Sequence, residues 1–292
     1  MNDIQIYNLE GLEFLSDIPD NSVDLILTDP PYITSRDSGM DKWAEHTEKQ
    51  DHEDSINIKT EEQWLGYKSK EEWNEWFTKG NVNIKKQSAR LEKMKQNYLK
   101  YGSVYGKKYA VKTKYGSWDT DFTMETLDLF VQQFHRTLKP GGTCIIFFDL
   151  WKISYLKEQL ENVKFKQLRF IEWIKTNPQP INSKVNYLTN CREIALLAIK
   201  KSKPTFNSKY DNGIYKYPIY GGKDRFHPTQ KSLLLFEELI KKHSNEGELV
   251  LDCFLGSGTT AIASLNTKRK FIGCEFDEKY FNKSIERLKT YR

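Results

Sequence analysis

The chain has 292 residues, 38% of them hydrophobic and 29% charged, which is enough apolar content for a real core and excludes wholesale disorder. That length accommodates one large α/β domain with insertions or two ordinary domains. The net charge of +5 excludes a histone-like polycation, but it is unevenly spread. Residues 59–114 carry +8 and residues 198–231 carry +6, leaving −9 on the rest, with −4 on residues 34–58 alone. The first basic block is rich in Trp and Tyr and the second in Tyr. Basic residues interleaved with aromatics suit a phosphate-rich partner, and equally the solvated faces of ordinary insertions, so charge alone leaves both readings open.

The opening MNDIQIYNLEGLEFL has no basic segment followed by an apolar run, so no signal peptide is expected. No stretch reaches the roughly 18 apolar residues of a membrane span. The four cysteines, Cys144, Cys191, Cys253 and Cys274, form no C-x-x-C pair, which argues against a zinc ribbon or redox motif and fits a reducing cytoplasm.

In chain order, short apolar runs predict buried parallel strands at 24–28, 143–148, 170–174, 194–199, 249–254 and 270–275. Helical spacing lies between them. Leu127, Phe130, Val131, Phe134 and Leu138 line one helix, which Lys139-Pro140-Gly141-Gly142 ends. Residues 232–243, 259–266 and 278–288 supply three more. The alternation predicts a doubly wound sheet.

Two stretches interrupt it. Residues 35–116 open with an acidic segment containing His46 and His52, where a solvated loop is the expectation rather than a metal site. Capping boxes follow at Thr60-x-x-Gln63 and Ser69-x-x-Glu72. Trp73, Trp76 and Phe77 share the face of the second helix, and Ile84, Leu91, Met94 and Tyr98 line a further one. Residues 177–226 contain Asp211-Asn212-Gly213, a hairpin-turn signal between Tyr-rich segments.

Two motifs carry chemistry. Asp29-Pro30-Pro31-Tyr32 follows the strand DLILT, at the sheet edge where open α/β folds bind ligands. Two prolines fix the backbone and remove two N–H donors. The Asp29 carboxylate and the Pro30 carbonyl are then neighbouring acceptors, matched to the two N–H donors of an exocyclic amine, and Tyr32 offers a flat face to a base. The second motif runs from Asp252 through Phe254, Gly256, Ser257, Gly258, Thr259 and Thr260, and continues to Glu275 and Phe276. It is a strand, a glycine turn and a helix start, with an acid at the end of the next strand. By itself it also matches a dinucleotide fingerprint.

Together these motifs resemble those of the amino-methyltransferases of DNA, which make N6-methyladenine or N4-methylcytosine. DPPY resembles the catalytic motif and Phe254-Leu255-Gly256-Ser257-Gly258 the FxGxG cofactor motif. DPPY comes first, an order similar to the circularly permuted beta group. PDNSVDLI (19–26), RTLKPGGT (136–143), WIKTNP (173–178) and HPTQK (227–231) resemble further family segments. Where the family has Gly-Asp near the cofactor's adenine this chain has Leu9-Glu10, and Ser232 follows HPTQK instead of Pro. The 35–116 insertion exceeds the length usual for the group.

The resemblance implies a permuted, Rossmann-like class I methyltransferase domain made of residues 1–34, 117–176 and 227–292. A basic helical insertion (35–116) and a target-recognition region (177–226) complete the expectation. It implies S-adenosylmethionine as cofactor, no metal, and transfer to adenine N6 in a specific DNA sequence within a restriction–modification system. Cytosine N4, an RNA amine, and a silent nucleic-acid-binding subunit are the alternatives. Asp29, Pro30, Pro31 and Tyr32 are the expected catalytic residues. Glu10, Asp29, Asp252, Phe254, Gly256, Ser257, Gly258, Thr259, Thr260, Glu275 and Phe276 are expected at the cofactor. Phe254 is expected against adenine, Thr259 and Thr260 toward the methionine portion, and Glu275 at the ribose. Lys85, Lys86, Arg90, Lys200, Lys201, Lys209 and Lys216 are the expected contacts to double-stranded, or single-stranded, DNA. A homodimer in a prokaryotic or phage-infected cytoplasm is expected by analogy.

Overall fold

A computed structural model describes residues 3–32, 60–68, 72–73, 87–101, 122–178, 191–222, 225–227 and 229–291. The chain divides into two compact units, residues 34–114 and the remainder.

The larger unit is built on eight strands: β1 (Ile4–Tyr7), β2 (Val23–Thr28), β3 (Leu138–Phe148), β4 (Phe165–Lys175), β5 (Arg192–Lys200), β6 (Ile214–Tyr217), β7 (Leu249–Asp252) and β8 (Lys270–Cys274). Their order across the sheet is β1-β8-β7-β2-β3-β5-β4-β6. Every β2 side chain except that of Asp24 is buried on one face or the other. Ile26 joins a core with Phe14, Phe130, Phe134 and Leu156, while Leu25 and Leu27 join a second with Phe236, Leu239 and Ile262. A run without polar alternation is what a strand covered on both faces requires. The first face is covered by α1 (Gly11–Ser16), α4 (Met124–Thr137) and α5 (Ile153–Asn162), the second by α6 (Leu233–His243), α7 (Thr259–Asn266) and α8 (Glu278–Lys289). The doubly wound α/β expectation therefore holds, with a Rossmann-like sheet.

The expectation of an all-parallel sheet is corrected at one strand. β5 runs antiparallel to both neighbours, β3 and β4. Its amino end therefore lies at the carboxyl edge of the other strands. The expected hairpin at Asp211-Asn212-Gly213 is also corrected. Asp211 and Asn212 accept from the N–H groups of Gly213 and Ile214, and the turn launches β6, which pairs in parallel with β4. Residues 177–226 thus supply two strands of the main sheet.

Two of the motif segments brace the amino edge. Arg136 donates to the carbonyls of Leu15 and Ile18 and pairs with Asp20. Asp24 pairs with Lys139 at 2.7 Å and accepts from Leu249 N at 2.9 Å, tying β2 to the starts of β3 and β7.

In the smaller unit, α2 (Glu61–Leu65) and α3 (Gln87–Tyr101) are described. The capping box at Thr60 and Gln63 is present in full. Trp64, Trp73, Met94 and Tyr98 form a small aromatic core, with the Trp64 and Trp73 rings 5.4 Å apart. Ser69, Trp76, Phe77, Ile84, Lys85, Lys86, His46 and His52 lie outside the described residues.

Candidate active site

β2 and β7 are parallel neighbours, and their carboxyl ends carry the two motifs side by side. One chain path leads outward from β7 to β8, the other from β2 to β3, so a crevice opens where the strand order reverses. The two ends are joined directly: Thr28 Oγ1 donates to Asp252 Oδ1 at 2.6 Å.

Asp252 then organises the glycine loop. Its Oδ1 also accepts from Phe254 N at 3.0 Å, and its Oδ2 from Thr260 Oγ1 at 2.6 Å. Glu275, just after β8, accepts from Gly256 N at 2.7 Å through Oε2 and from Asp277 N at 3.0 Å through Oε1. Gly256 (φ +54°) and Gly258 (φ +77°) are both left-handed, and a Cβ on Gly258 would meet Ser284 Cβ at 3.2 Å. A Cβ on Gly256 would sit 3.4 Å from the His227 ring. Buried Arg287 on α8 donates to Ser257 O and Thr259 Oγ1 from below.

Several residues expected at the cofactor also make hydrogen bonds within the protein. The hydroxyls of Ser257, Thr259 and Thr260 and the carboxylate of Asp252 are turned inward and bonded within the protein. They hold the loop. Phe254 packs on Phe130 at 4.7 Å and edge-on to Phe122 at 5.5 Å. Phe276, just after β8 at this edge, is 63% exposed. Glu10 caps α1, accepting from Leu12 N and Glu13 N through Oε2. It follows β1, the partner of β8, and so lies at the same edge as Glu275.

On the β2 side, Asp29 Oδ2 pairs with Lys231 Nζ at 2.8 Å. Asp29 Oδ1 and the Tyr32 hydroxyl are buried without a hydrogen-bond partner among the described residues. Burial raises the Asp29 carboxyl to about 6; Lys231 pulls it down and Glu193 pushes it up. Burial and the neighbouring Asp29 charge lift the Tyr32 phenol well above its usual value. Tyr32 meets Phe148 edge-on at 6.3 Å. Burial drops the His227 imidazole to about 4, so it is neutral at physiological pH.

Lys231, Glu193 and Lys175 were not identified as site residues from sequence. Each sits at the boundary of a predicted element: Lys231 just before α6, Glu193 near the start of β5, Lys175 at the end of β4. For Lys231 and Lys175 the signal was their place in the HPTQK and WIKTNP segments, and reading Glu193 beside them needed the antiparallel direction of β5.

The expected DNA contacts separate. Lys200 and Lys201 end β5 and are carried to the amino edge, away from Asp29, where Lys200 donates to Asn21 Oδ1 and Arg136 O. Lys209 lies close to Asn207, which is bonded to the carboxyl end of α6, so it too is remote from the crevice. Lys216 is exposed on β6, paired with Ile174 near the carboxyl edge. Arg90 is exposed on α3 in the other unit.

A family model described as DNA methylase matches residues 23–286. The chain belongs to this DNA methylase family. Among relatives, the Type II methyltransferase M2.DpnII of Streptococcus pneumoniae is 32% identical over 194 residues, 60% of this chain and 72% of that one. The Type II methyltransferase M2.MboI of Moraxella bovis is 29% identical over 296 residues, covering 97% and 86%. The crystal structure of an M1.HpyAVI–SAM complex matches with a TM-score of 0.57 and 26% identity, over 97% of this methylase and 99% of that chain. The cytosine-N4-specific PvuII DNA methyltransferase, at 14% identity and a TM-score of 0.59, shares the fold. Among the described residues of this methylase, no helix is long and apolar enough to cross a membrane.

Proposed function

We propose that this methylase transfers a methyl group to the N6 amine of adenine in a specific DNA sequence, as the modification partner in a restriction–modification system. The observation that carries the reading is Asp29 Oδ1: a buried carboxylate oxygen, unpartnered among the described residues, on a proline-stiffened turn beside the glycine loop. An exocyclic amine carries two N–H donors, matched to this oxygen and the neighbouring Pro30 carbonyl. Accepting both N–H groups draws the nitrogen lone pair out of the ring and toward the incoming methyl group. With its carboxyl near 6, Asp29 is ionised at neutral pH and basic enough to take the proton that the amine then sheds. Tyr32 supplies the stacking face for a base flipped from the duplex.

S-adenosylmethionine, when bound, supplies a methyl group activated by its sulfonium. The residues present fit it. Gly256 leaves the space a Cβ would fill beside His227, and exposed Phe276 gives adenine a surface. Each Glu275 oxygen accepts one backbone N–H and keeps acceptor capacity for a ribose hydroxyl. Asp252, Ser257, Thr259 and Thr260 fix the loop from behind.

DPPY, in place of SPPY, favours adenine over cytosine. DPPY ahead of the glycine loop supports membership of the permuted beta group, with a homodimer by analogy. The work belongs in the cytoplasm, where the DNA is. We assign double-stranded DNA contacts to Lys216 and to Lys85, Lys86 and Arg90 of the insertion. Incubation with methyl-labelled S-adenosylmethionine and duplex DNA, followed by mapping of modified bases, tests the reading. N6-methyladenine at one short sequence is expected. N4-methylcytosine, label in RNA alone, or none would overturn it.

A further inference from the structure

Four segments that lie apart in the sequence meet in one row of alternating charge. Lys231 Nζ lies 2.8 Å from Asp29 Oδ2 and 2.5 Å from Glu193 Oε2. Glu193 Oε1 lies 2.6 Å from Lys175 Nζ. The row therefore runs Asp29, Lys231, Glu193, Lys175, from the end of β2 across to β5 and β4. Lys231 is 6% exposed, and its ammonium also stands over the Tyr32 ring at 5.5 Å and the Phe147 ring at 5.3 Å. Burying an ammonium is unfavourable unless its charge is matched on several sides, and here two carboxylates and two ring faces match it.

The arrangement is asymmetric at Asp29. One oxygen is fixed by Lys231; the other is buried without a partner among the described residues. A lysine devoted to Asp29 alone would hold it as a strongly stabilised ion and weaken it as an acceptor. Sharing Lys231 with Glu193 avoids this, and Lys175 in turn keeps Glu193 ionised. Burial alone would raise the Glu193 carboxyl, but the two lysines outweigh it and hold the carboxyl low.

We propose that Lys231 is a positioning residue for methyl transfer: it holds one oxygen of Asp29 and leaves the other for the target amine, while Glu193 and Lys175 fix Lys231. The inference rests on the amine-methylation reading above. The charged and titratable groups facing Asp29 are Lys231 ahead of α6, Glu193 on β5, and Tyr32 on its own turn.

The test is single-turnover methyl transfer on saturating duplex, followed from about pH 5 to pH 9. The wild-type rate should fall on an acid limb centred near 6, where Asp29 takes a proton. K231M removes the cation, so ionising Asp29 needs a higher pH. The limb should move up by about one unit or more, with at least about tenfold loss at neutral pH and partial recovery in alkali. K231R should return it toward wild type. E193Q removes an anion, so the limb should move down. Binding of S-adenosylhomocysteine should stay within about twofold of wild type in every variant. A merely structural ion pair would lower the rate equally at every pH, and limbs unmoved in K231M and E193Q would overturn the proposal. Should K231M melt below the assay temperature, E193Q decides alone: a downward move supports the role and an unmoved limb removes it. If wild-type protein methylates no DNA amine, the underlying reading fails and takes this one with it. If wild type is active and D29A silent while both limbs stay put, only the positioning role falls.

Discussion

Asp29 and Asp252 end adjacent strands of one sheet, and both are buried acids joined to the same short segment of β2. Their surroundings differ in kind. Asp252 is surrounded by neutral donors, two threonine hydroxyls and one backbone N–H, which use both of its oxygens. Asp29 faces a shared ammonium through one oxygen, and its other oxygen is buried without a hydrogen-bond partner among the described residues. A carboxylate whose oxygens are both bonded within the protein builds structure. One that keeps a buried oxygen open is prepared for a ligand, at some loss of stability. Sequence alone places both residues in the site; only the partners separate their roles.

Truncating each acid should break the comparison in opposite directions. D29A should lower the single-turnover rate by about a thousandfold or more, since it removes an acceptor that acts on developing charge. It should leave S-adenosylhomocysteine binding measurable by calorimetry; full activity in D29A would end the assignment. D252A should act mainly on the fold. It strands the Phe254 N–H and two hydroxyls in a dry layer, a loss of about 3 kcal/mol. A melting temperature lowered by about 10 °C is the expected reading. If D252A melted normally and lost only activity, the division between the two acids would be wrong.

How far the sequence speaks follows from the same physics. Strand β2 was legible because a strand buried on both faces has no polar alternation to confuse it. Helix α4 was legible because Leu127, Phe130, Val131 and Phe134 repeat at helical spacing and all are buried. The motif turns were legible because proline and left-handed glycine constrain the backbone locally. Strand direction was not, because an apolar run such as IALLAI reads alike either way. That single ambiguity at β5 hid Glu193 and left unread which sheet edge Lys200 and Lys201 reach. Side-chain direction was hidden as well. Thr259 and Thr260 sit at a helix start facing the crevice in sequence terms, yet Asp252 and Arg287 draw their hydroxyls inward.

The cofactor side can be sharpened next, because its two aromatics resolve in opposite ways. Phe254 is packed among Phe122 and Phe130, whereas Phe276 is largely exposed. F276A should therefore weaken S-adenosylhomocysteine binding by about tenfold, the scale of one lost aromatic contact, with little change in melting temperature. F254A should show the reverse balance, destabilising more than it weakens binding. Equal behaviour of the two would mean that exposure does not distinguish them.

The smallest expected effect tests the sheet edges themselves. Lys216 lies on the exposed part of β6 that reaches the carboxyl edge, and Lys200 is held at the amino edge by Asn21 and Arg136. Each lysine that neutralises a phosphate adds about one to the slope of log affinity against log salt. K216A should thus flatten that slope by about one, with no change in which sequence is methylated. K200A should leave the slope as it is, because a lysine already bonded within the protein at the far edge releases no counterion from DNA. In the insertion, neutralising Lys85, Lys86 and Arg90 together should flatten it further, and an unchanged slope there would remove the insertion from the DNA surface. If K200A flattened the slope and K216A did not, DNA would have to approach the opposite edge, and the comparison that begins with Asp29 would lose its geometry.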